Sequence, residues 1–480
     1  MKRTVVAGWL VTFAAAANAA PDWNALQPGR WAVVSENTIR DLDPCPQRDC
    51  SYSAVEGLSG LIDDWCGGAF ASRYGRFGGL VTWGGGHNGY FGSELYVFDL
   101  DSGRWLRRTD PYDDGSSSVA ARCSDDGVYP DGSACPTHTY DQVDYHAATN
   151  RFVIIGGTPD PVCGGCVDDR VHLFDFDDGT WHLGARKPSA LMYAGATGYD
   201  EKRDVFWLLS AYTRGFSKYD PNTDAWSEYG TVDTPFEIDG AGLVDPERDL
   251  FLFLDSRGTG RLYAIPLADP SGGLVELRTE GDREIQEAGS ALGFERVPQE
   301  DCVVAWYDGA EVYVLRPPEG DWATGVWRWT RVPPDASNTV VPRRNPNGTY
   351  GRFRYAPSVN AFVLVSAYDG PVWAYRLTPG AGTGPNPDGG PDGGDGGWDA
   401  GADAGQDAGG DAGADGADGT SLSEAADEGP PSEGGGDRQS GNPVGGCSGC
   451  ATAGSPGGSL IGAIGFWFWA RRSRSRESLH

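Results

Sequence analysis

The pattern that decides the fold is an octapeptide that occurs three times in the middle of the chain. It reads FDLDSGRW at residues 98–105, FDFDDGTW at residues 174–181 and YDPNTDAW at residues 219–226. Each copy has an aromatic residue, an aspartate, five variable positions and a tryptophan. Because aromatic residues favour strands and Asp and Gly favour tight turns, each copy predicts the end of one strand, a turn and a second strand.

Short apolar runs precede these copies, such as LVTWGG at residues 80–85 and FVIIGG at residues 152–157. Weaker versions of the same arrangement continue downstream, with Gly, Asp and Pro turns between the apolar segments. Repetition of this kind indicates an array of small sheets, because one such sheet cannot bury both faces alone. We predict six units whose second strands begin near Leu80, Phe152, Val205, Leu250, Cys302 and Ala361.

The Gly pair after a buried strand, followed by the aromatic-Asp strand end and the Trp, resembles the kelch repeat of galactose-oxidase-like β-propellers. The resemblance covers about residues 57–377 and implies an all-β fold, a six-bladed propeller. The last unit ends at Leu377 without an outer strand, and residues 31–34, WAVV, are expected to supply it. A seven-bladed ring stays open if residues 106–140 contain a further blade, although this segment is typical of an inserted loop.

Composition narrows the function classes before any site is considered. The 480 residues include 72 Gly and 17 Trp, and the chain has a formal net charge of −30. Glycine and aromatic residues at this level favour strands and tight turns over helices. The negative field repels phosphate backbones, so we predict no nucleic-acid partner.

The N-terminus reads as an export signal. Lys2 and Arg3 precede an apolar run from Thr4 to Ala17, and a small-residue cleavage site follows. A run of about 14 residues is shorter than the ~20 that a membrane-spanning helix needs, which disfavours the alternative of a short anchor. We therefore predict a signal peptide at residues 1–19, a propeller at residues 20–377 and an oxidising environment.

The C-terminus divides into an acidic linker and an apolar tail. Residues 378–446 contain 11 Asp and 3 Glu against one Arg, with Gly, Ala and Pro between them. With so little apolar surface to bury, this linker is expected to be disordered. In the tail, residues 447–480, Cys447 and Cys450 precede an uncharged stretch at residues 451–470 and then an Arg cluster. The stretch is long enough for a transmembrane helix, and the positive-inside rule places the Arg cluster in the cytoplasm.

The order of paired Cys, short apolar helix and Arg cluster resembles the myxobacterial C-terminal sorting signal known as MYXO-CTERM. The resemblance implies processing at Cys447 or Cys450 by a sorting protease, membrane contact through the tail before processing, and anchoring at the cell surface or outer membrane. A plain C-terminal membrane anchor is the alternative, but it has no use for the two cysteines.

Three cysteine pairs lie close in sequence within the propeller region. In an exported chain we predict that they form disulfides within loops, pairing Cys45 with Cys50, Cys123 with Cys135, and Cys163 with Cys166. A redox or zinc role for Cys163 and Cys166 is the alternative, and zinc would need two further ligands. Cys302 opens an apolar strand and is expected to be a buried, unpaired thiol.

Propeller topology places the segments before each first strand and after each second strand on one face. His87, in the loop GGGHNGY at residues 84–90, and His138, in THTYD at residues 137–141, fall on that face. Candidate catalytic residues there are His87, His138, Tyr140, Arg214 and Arg352. Candidate ligand-binding residues are Asp64, Trp65, Tyr212, Arg257 and Tyr368.

Two classes of function fit these residues. The first is a surface-displayed binding module for an extracellular glycan or surface protein. The second is a carbohydrate-active enzyme, with His and Tyr for proton transfer and Arg for a substrate carboxylate, as a polysaccharide lyase would need. A copper-radical oxidase ranks below the lyase, because no matching oxidase motif surrounds the cysteines. We predict no metal and no cofactor. Loop His and Tyr residues can also serve only to bond neighbouring blades, so the sequence leaves enzymatic activity uncertain.

Overall fold

The structure is a computed structural model that describes residues 20–387, except 87–88, 117–118, 158–168, 190–193, 211–212 and 233–239. The described residues belong to one compact unit built almost entirely of strands. The strands are β1 (Arg30–Ser35), β2 (Gly68–Ala71), β3 (Gly79–Thr82), β4 (Tyr96–Asp99), β5 (Arg104–Arg107), β6 (Val143–His146), β7 (Arg151–Ile155), β8 (Val171–Asp175), β9 (Thr180–Leu183), β10 (Ala196–Asp200), β11 (Val205–Leu209), β12 (Gly215–Asp220), β13 (Ala225–Thr231), β14 (Ala241–Asp245), β15 (Leu250–Asp255), β16 (Arg261–Pro266), β17 (Val275–Glu276), β18 (Thr279–Gly281), β19 (Gly293–Val297), β20 (Cys302–Trp306), β21 (Val312–Arg316), β22 (Trp327–Val332), β23 (Phe353–Ala356), β24 (Ala361–Leu364) and β25 (Val372–Arg376).

Helices in the described residues are short and lie in connections. The one α-helix, α1, spans Gly60–Asp63. The 3₁₀ helices span Trp23–Ala25, Ile39–Leu42, Gly57–Ser59, Ala120–Arg122, Ala147–Thr149, Pro270–Gly272, Arg283–Glu287, Pro298–Glu300 and Tyr350–Arg352.

The strands form six small antiparallel sheets, which we number as blades in chain order. Blade 1 is β2–β5, blade 2 is β6–β9, blade 3 is β10–β13 and blade 4 is β14–β17. Blade 5 is β19–β22 with β18 added parallel to β22, and blade 6 is β23–β25 with β1. Neighbouring innermost strands contact one another in cyclic order through β2, β6, β10, β14, β19 and β23, which closes the ring.

The six-bladed prediction is confirmed, and the seven-bladed alternative is wrong. The predicted second strands correspond to β3, β7, β11, β15, β20 and β24, each starting within one residue of the expected position. The segment between β5 and β6 adds no sheet in its described part. It contains a 3₁₀ helix and one isolated bridge between Val128 and Ala134.

The N-terminal strand closes the ring, as the sequence predicts. β1 pairs antiparallel with β25, with Ala32 opposite Ala374, and so supplies the outer strand of blade 6. Trp31 is buried against Tyr375 and against Trp306 of blade 5, with ring centroids 5.1 Å and 5.8 Å away. Residues from both ends of the described chain therefore form one blade, and apolar burial of the Trp31 ring stabilises the closure.

The octapeptide has a clear structural role in each of its copies. Its aromatic residue and its Trp lie directly opposite each other on the third and fourth strands, as Phe174 and Trp181 do. Their ring centroids are 5.2 Å apart. The Asp accepts hydrogen bonds from the turn, as in Asp99, whose carboxylate accepts from the backbone N–H groups of Asp101 and Ser102 at 3.0 and 3.1 Å. The repeat thus combines a cross-strand aromatic pair with a turn that its own Asp stabilises.

Two of the three predicted disulfides are confirmed, Cys45–Cys50 and Cys123–Cys135. Cys302 is buried and unpaired, as expected. Cys163 and Cys166 lie outside the described residues, as do the predicted signal peptide, most of the linker and the tail with Cys447 and Cys450. Within the described residues, no helix has the length and apolar character to cross a membrane.

Candidate functional site

The segments that precede three of the first strands meet at one end of the ring axis. They bring together Trp65 before β2, His138 and Tyr140 before β6, and Tyr350 before β23. We call these four side chains the mouth cluster. Three of the four, Trp65, His138 and Tyr140, are residues that the sequence placed on this face.

The backbone at the mouth cluster has a left-handed conformation that bulky residues rarely adopt. The φ angles are 53° at Trp65, 49° at Tyr140 and 46° at Tyr350. The backbone N–H of Tyr140 donates to the carbonyl of Trp65 at 2.7 Å, which joins blades 1 and 2 at this point. Each such residue costs free energy that the surrounding structure must offset, and such positions concentrate at functional sites.

The mouth cluster is a continuous series of ring contacts. The centroid of the His138 ring lies 5.2 Å from Trp65 and 6.2 Å from Tyr140, and Tyr140 lies 5.9 Å from Tyr350. His138, Tyr140 and Tyr350 are buried, whereas Trp65 is partly exposed. Burial raises the pKa of the Tyr350 phenol well above its usual value. The arrangement presents one accessible indole on a support of buried rings.

Asp64 lies directly beside this indole and is itself 8% exposed. Its Oδ2 atom has no hydrogen-bond partner among the residues that the structure describes. The carboxyl packs against Gly60 and Gly89, where a Cβ would come within 2.4 Å and 1.6 Å of Oδ2, so only glycine leaves it room. Burial, followed by the nearby charges of Glu56 and Asp63, raises the pKa of Asp64 to about 7.

Arg352, which the sequence suggested as a catalytic residue, is fully buried. Its guanidinium donates to the backbone carbonyls of Cys66, Val365 and Gly348, at 2.8, 3.1 and 2.5 Å. Burial lowers its pKa to about 10, since no carboxylate pairs with it in the described residues. These hydrogen bonds join the segment before β2 in blade 1 to blade 6. The guanidinium is therefore bonded to the backbone.

The remaining candidates fall into three groups. Arg214 and Arg257 are exposed, and the charge of Arg257 lowers the pKa of Tyr350, which places it near the mouth cluster. Tyr368 is half-buried against the core between blades 1 and 6, and its carbonyl accepts from the N–H of Arg40 at 3.0 Å. His87 and Tyr212 lie outside the described residues.

A second cluster of functional side chains lies deeper along the axis, and the sequence analysis missed it. Arg354 on β23 pairs with Glu295 on β19 at 2.9 Å and also donates to the carbonyl of Gly68 on β2. Asp144 on β6 accepts from the N–H of Tyr199 on β10 at 3.0 Å. Asp141, just before β6, accepts from the N–H of Gly242 on β14 at 2.8 Å. We call Asp141, Asp144, Glu295 and Arg354 the axial cluster, and its bonds involve all six blades.

Charge is unbalanced in the axial cluster, because three carboxyls surround one guanidinium. Burial raises the pKa of Asp141 to about 8 and that of Glu295 to about 6, and it also raises the pKa of Asp144. Arg354 opposes each of these shifts. The first strands carried a usable signal, since Asp144, Glu295 and Arg354 each stand between two buried or half-buried neighbours in mid-strand.

Metal-ligating side chains gather elsewhere. In the described ranges, two groups bring three ligand atoms within 4.8 Å of one another, Cys45–Asp49–Cys50 and Asp175–Asp178–His182. The first contains a disulfide, and in the second Asp175 pairs with Arg151 at 2.8 Å. Neither group includes a residue of the mouth or axial cluster.

Comparisons with known proteins identify no family for this chain. No family model matches the chain, and no curated protein matches it. Among solved structures, the chain is similar to a structural genomics protein of unknown function from Bacteroides thetaiotaomicron VPI-5482, with 10% identity and a TM-score of 0.43. The match covers 72% of this chain and 75% of that one. The assignment of a six-bladed β-propeller rests on the strand pairing of this chain itself.

Proposed function

We propose that this protein is a glycan-binding module displayed outside the cell, with its binding site at the mouth cluster. The single observation that carries the proposal is the partly exposed indole of Trp65, supported from below by His138, Tyr140 and Tyr350. A rigid aromatic face loses little conformational entropy on binding, and the apolar faces of sugar rings pack well on it. The left-handed backbone that holds Trp65 agrees with a site maintained for function.

Export and surface anchoring remain part of the proposal, on the residues that carry the signal-peptide and MYXO-CTERM resemblances. The disulfides Cys45–Cys50 and Cys123–Cys135 support an oxidising compartment. The propeller would then be held on the acidic linker after a sorting protease has acted on the tail. The kelch relationship is likewise a proposal, supported by the aromatic pair and Asp turn of each octapeptide.

Glycan binding is tested with the purified protein on an array of neutral and uronate-containing polysaccharides, followed by calorimetry on the best ligand. Trp65→Ala is expected to weaken binding by more than about thirtyfold, the scale of an aromatic hot spot. Trp322→Ala is the matched control, because this half-buried Trp lies in the turn between β21 and β22 on the opposite face. Equal glycan affinity of the two variants would refute the assignment of the binding site to the mouth cluster. If the protein binds a surface protein and no glycan, the ligand class in this proposal is wrong.

Arg257 separates neutral from acidic glycans. Its side chain is exposed and its charge acts on Tyr350 of the mouth cluster. Guanidinium groups bind carboxylates through paired hydrogen bonds. Arg257→Gln is expected to weaken uronate binding about tenfold and to leave a neutral glycan unaffected. The same loss for both kinds of glycan would show that the residue acts through the shape of the mouth.

Among the described residues, no contact specifically supports the alternative of a polysaccharide lyase. Arg352, one of its two proposed carboxylate-binding arginines, donates to three backbone carbonyls. When the protein is incubated with uronate polysaccharides, we expect no unsaturated product. Ultraviolet absorbance measures that product. Product formation that His138→Ala abolishes would reverse this order of preference.

A further inference from the structure

A cavity of ≈ 250 Å³ lies on the axis of the ring, away from the mouth cluster. All six first strands contribute to its wall, and residues from the turns that follow them line it as well, so it opens on the face opposite the mouth. Four aromatic residues are among those that line it: Phe70, Tyr145, Tyr199 and Tyr355.

Asp144 is a carboxyl group in this wall that two backbone N–H groups hold in place. Its Oδ1 accepts from the N–H of Tyr145 at 2.8 Å and its Oδ2 from the N–H of Tyr199 at 3.0 Å. Each oxygen keeps a further lone pair for a ligand. Arg354 pairs with Glu295, and the nearest carboxylate of Arg296 is Asp245 at 3.5 Å. Arg354 acts on Asp144 through its charge, but among the described residues no Lys, Arg or His forms a direct ion pair with the Asp144 carboxylate.

We propose that this axial cavity binds a small organic cation, with Asp144 accepting from its ammonium group. An amine would supply the hydrogen-bonded positive charge that Asp144 lacks. Phe, Tyr and Trp rings attract cations through their quadrupoles, and aromatic residues are part of the wall. The carboxyl groups disfavour an anionic ligand.

A metal ion fits this cavity less well than an amine. Neither of the compact ligand groups among the described residues contains Asp144, Glu295 or Asp141. Calcium requires six to eight oxygen ligands converging on one point. An ammonium group on an organic body needs only one or two acceptors, and its body fills the apolar part of the wall.

Calorimetry of the purified protein with benzylamine and with the neutral benzyl alcohol tests the inference. Benzylamine is expected to bind about tenfold more tightly than the alcohol, because only the amine forms a charge-assisted hydrogen bond. Asp144→Asn is expected to weaken benzylamine binding about tenfold. Asp99→Asn is the matched control, since Asp99 also accepts one backbone N–H on each oxygen but lies in the outer turn of blade 1.

Three results would overturn the inference: no saturable benzylamine binding, equal affinity for amine and alcohol, or displacement of the amine by stoichiometric calcium. Circular dichroism establishes whether Asp144→Asn folds, and if it does not, the amine and alcohol comparison on the unmodified protein decides. Trp65→Ala, which alters the opposite face, is expected to bind benzylamine normally. The axial inference therefore stands or fails separately from glycan binding at the mouth.

Discussion

Neighbouring blades are joined by different chemistry at the mouth cluster and in the axial cluster. At the mouth, neighbouring blades meet through aromatic rings on irregular, left-handed backbone. In the axial cluster they meet through carboxyls and one guanidinium on regular strands. Loop conformation makes the mouth a place where a side chain can be aimed at a ligand, whereas the axial bonds hold the blades in register. The comparison predicts that substitutions in the axial cluster act mainly on stability and that substitutions at the mouth act mainly on glycan binding.

Arg354→Met should have the largest effect on stability. It removes the guanidinium that pairs with Glu295 among the described residues, and it leaves the three axial carboxyls without their shared counter-charge. Deleting one partner of a fully buried ion pair costs about 3–5 kcal/mol. The side chains of Arg354 and Glu295 are 15% and 21% exposed, so we expect a loss at the lower limit, about 3 kcal/mol. The free energy of unfolding from urea titration measures this loss.

The control for that variant is Arg261→Met. Arg261 pairs with Glu276 at 2.6 Å, but both side chains are more than half exposed. Exposed pairs contribute about 0–1 kcal/mol. If the two variants unfold at the same urea concentration, the axial cluster does not hold the blades together, and the contrast with the mouth fails.

Arg352→Met tests the border between the two regions. It removes three hydrogen bonds to backbone carbonyls, but it also relieves the burial of a charge that no carboxylate pairs with. We expect a net loss of about 2 kcal/mol in unfolding free energy, less than for Arg354, because the two effects partly cancel. Glycan affinity of the folded fraction should stay within about twofold of the unmodified protein. A large loss of affinity at unchanged stability would return Arg352 to the binding site.

The octapeptide explains why so much of the fold was predictable. Its aromatic residue packs against its Trp, and its Asp accepts from a backbone N–H of the turn that joins them. The pattern Phe174, Asp175, Trp181 therefore specifies one hairpin directly. The closure by β1 was predictable as well, since Trp31 begins a short apolar run with no other sheet to join.

The candidate site was only partly predictable, because its residues interact over long sequence distances. Trp65, His138 and Tyr140 were placed on the correct face from topology alone. Tyr350 was missed, and Arg352, only two residues further on, was expected to face a ligand. Which of them turns inward depends on contacts with residues nearly 290 positions away, such as Cys66. The axial cluster was hidden for the same reason, since no local pattern pairs Glu295 with Arg354.

The smallest expected effect is a dependence of stability on pH, and it sharpens the comparison most directly. Burial raises the pKa of Asp141 to about 8 and that of Glu295 to about 6, and the mouth residue Asp64 follows at about 7. A carboxyl whose pKa is raised on folding binds its proton more tightly in the native state. The free energy of unfolding should therefore fall as the pH rises from about 5 to 8.

Asp141→Asn isolates the axial share of this pH dependence. The amide keeps an oxygen for the N–H of Gly242, but it cannot ionise. We expect the variant to lose less unfolding free energy than the unmodified protein between pH 5 and pH 8, by at least about 1 kcal/mol, which corresponds to a pKa change of less than about one. Asp64→Asn gives the corresponding value for the mouth. If Asp141→Asn leaves the pH profile unchanged while Asp64→Asn flattens it, the charge imbalance that matters lies at the mouth, and the division between a binding end and a stabilising centre would be reversed.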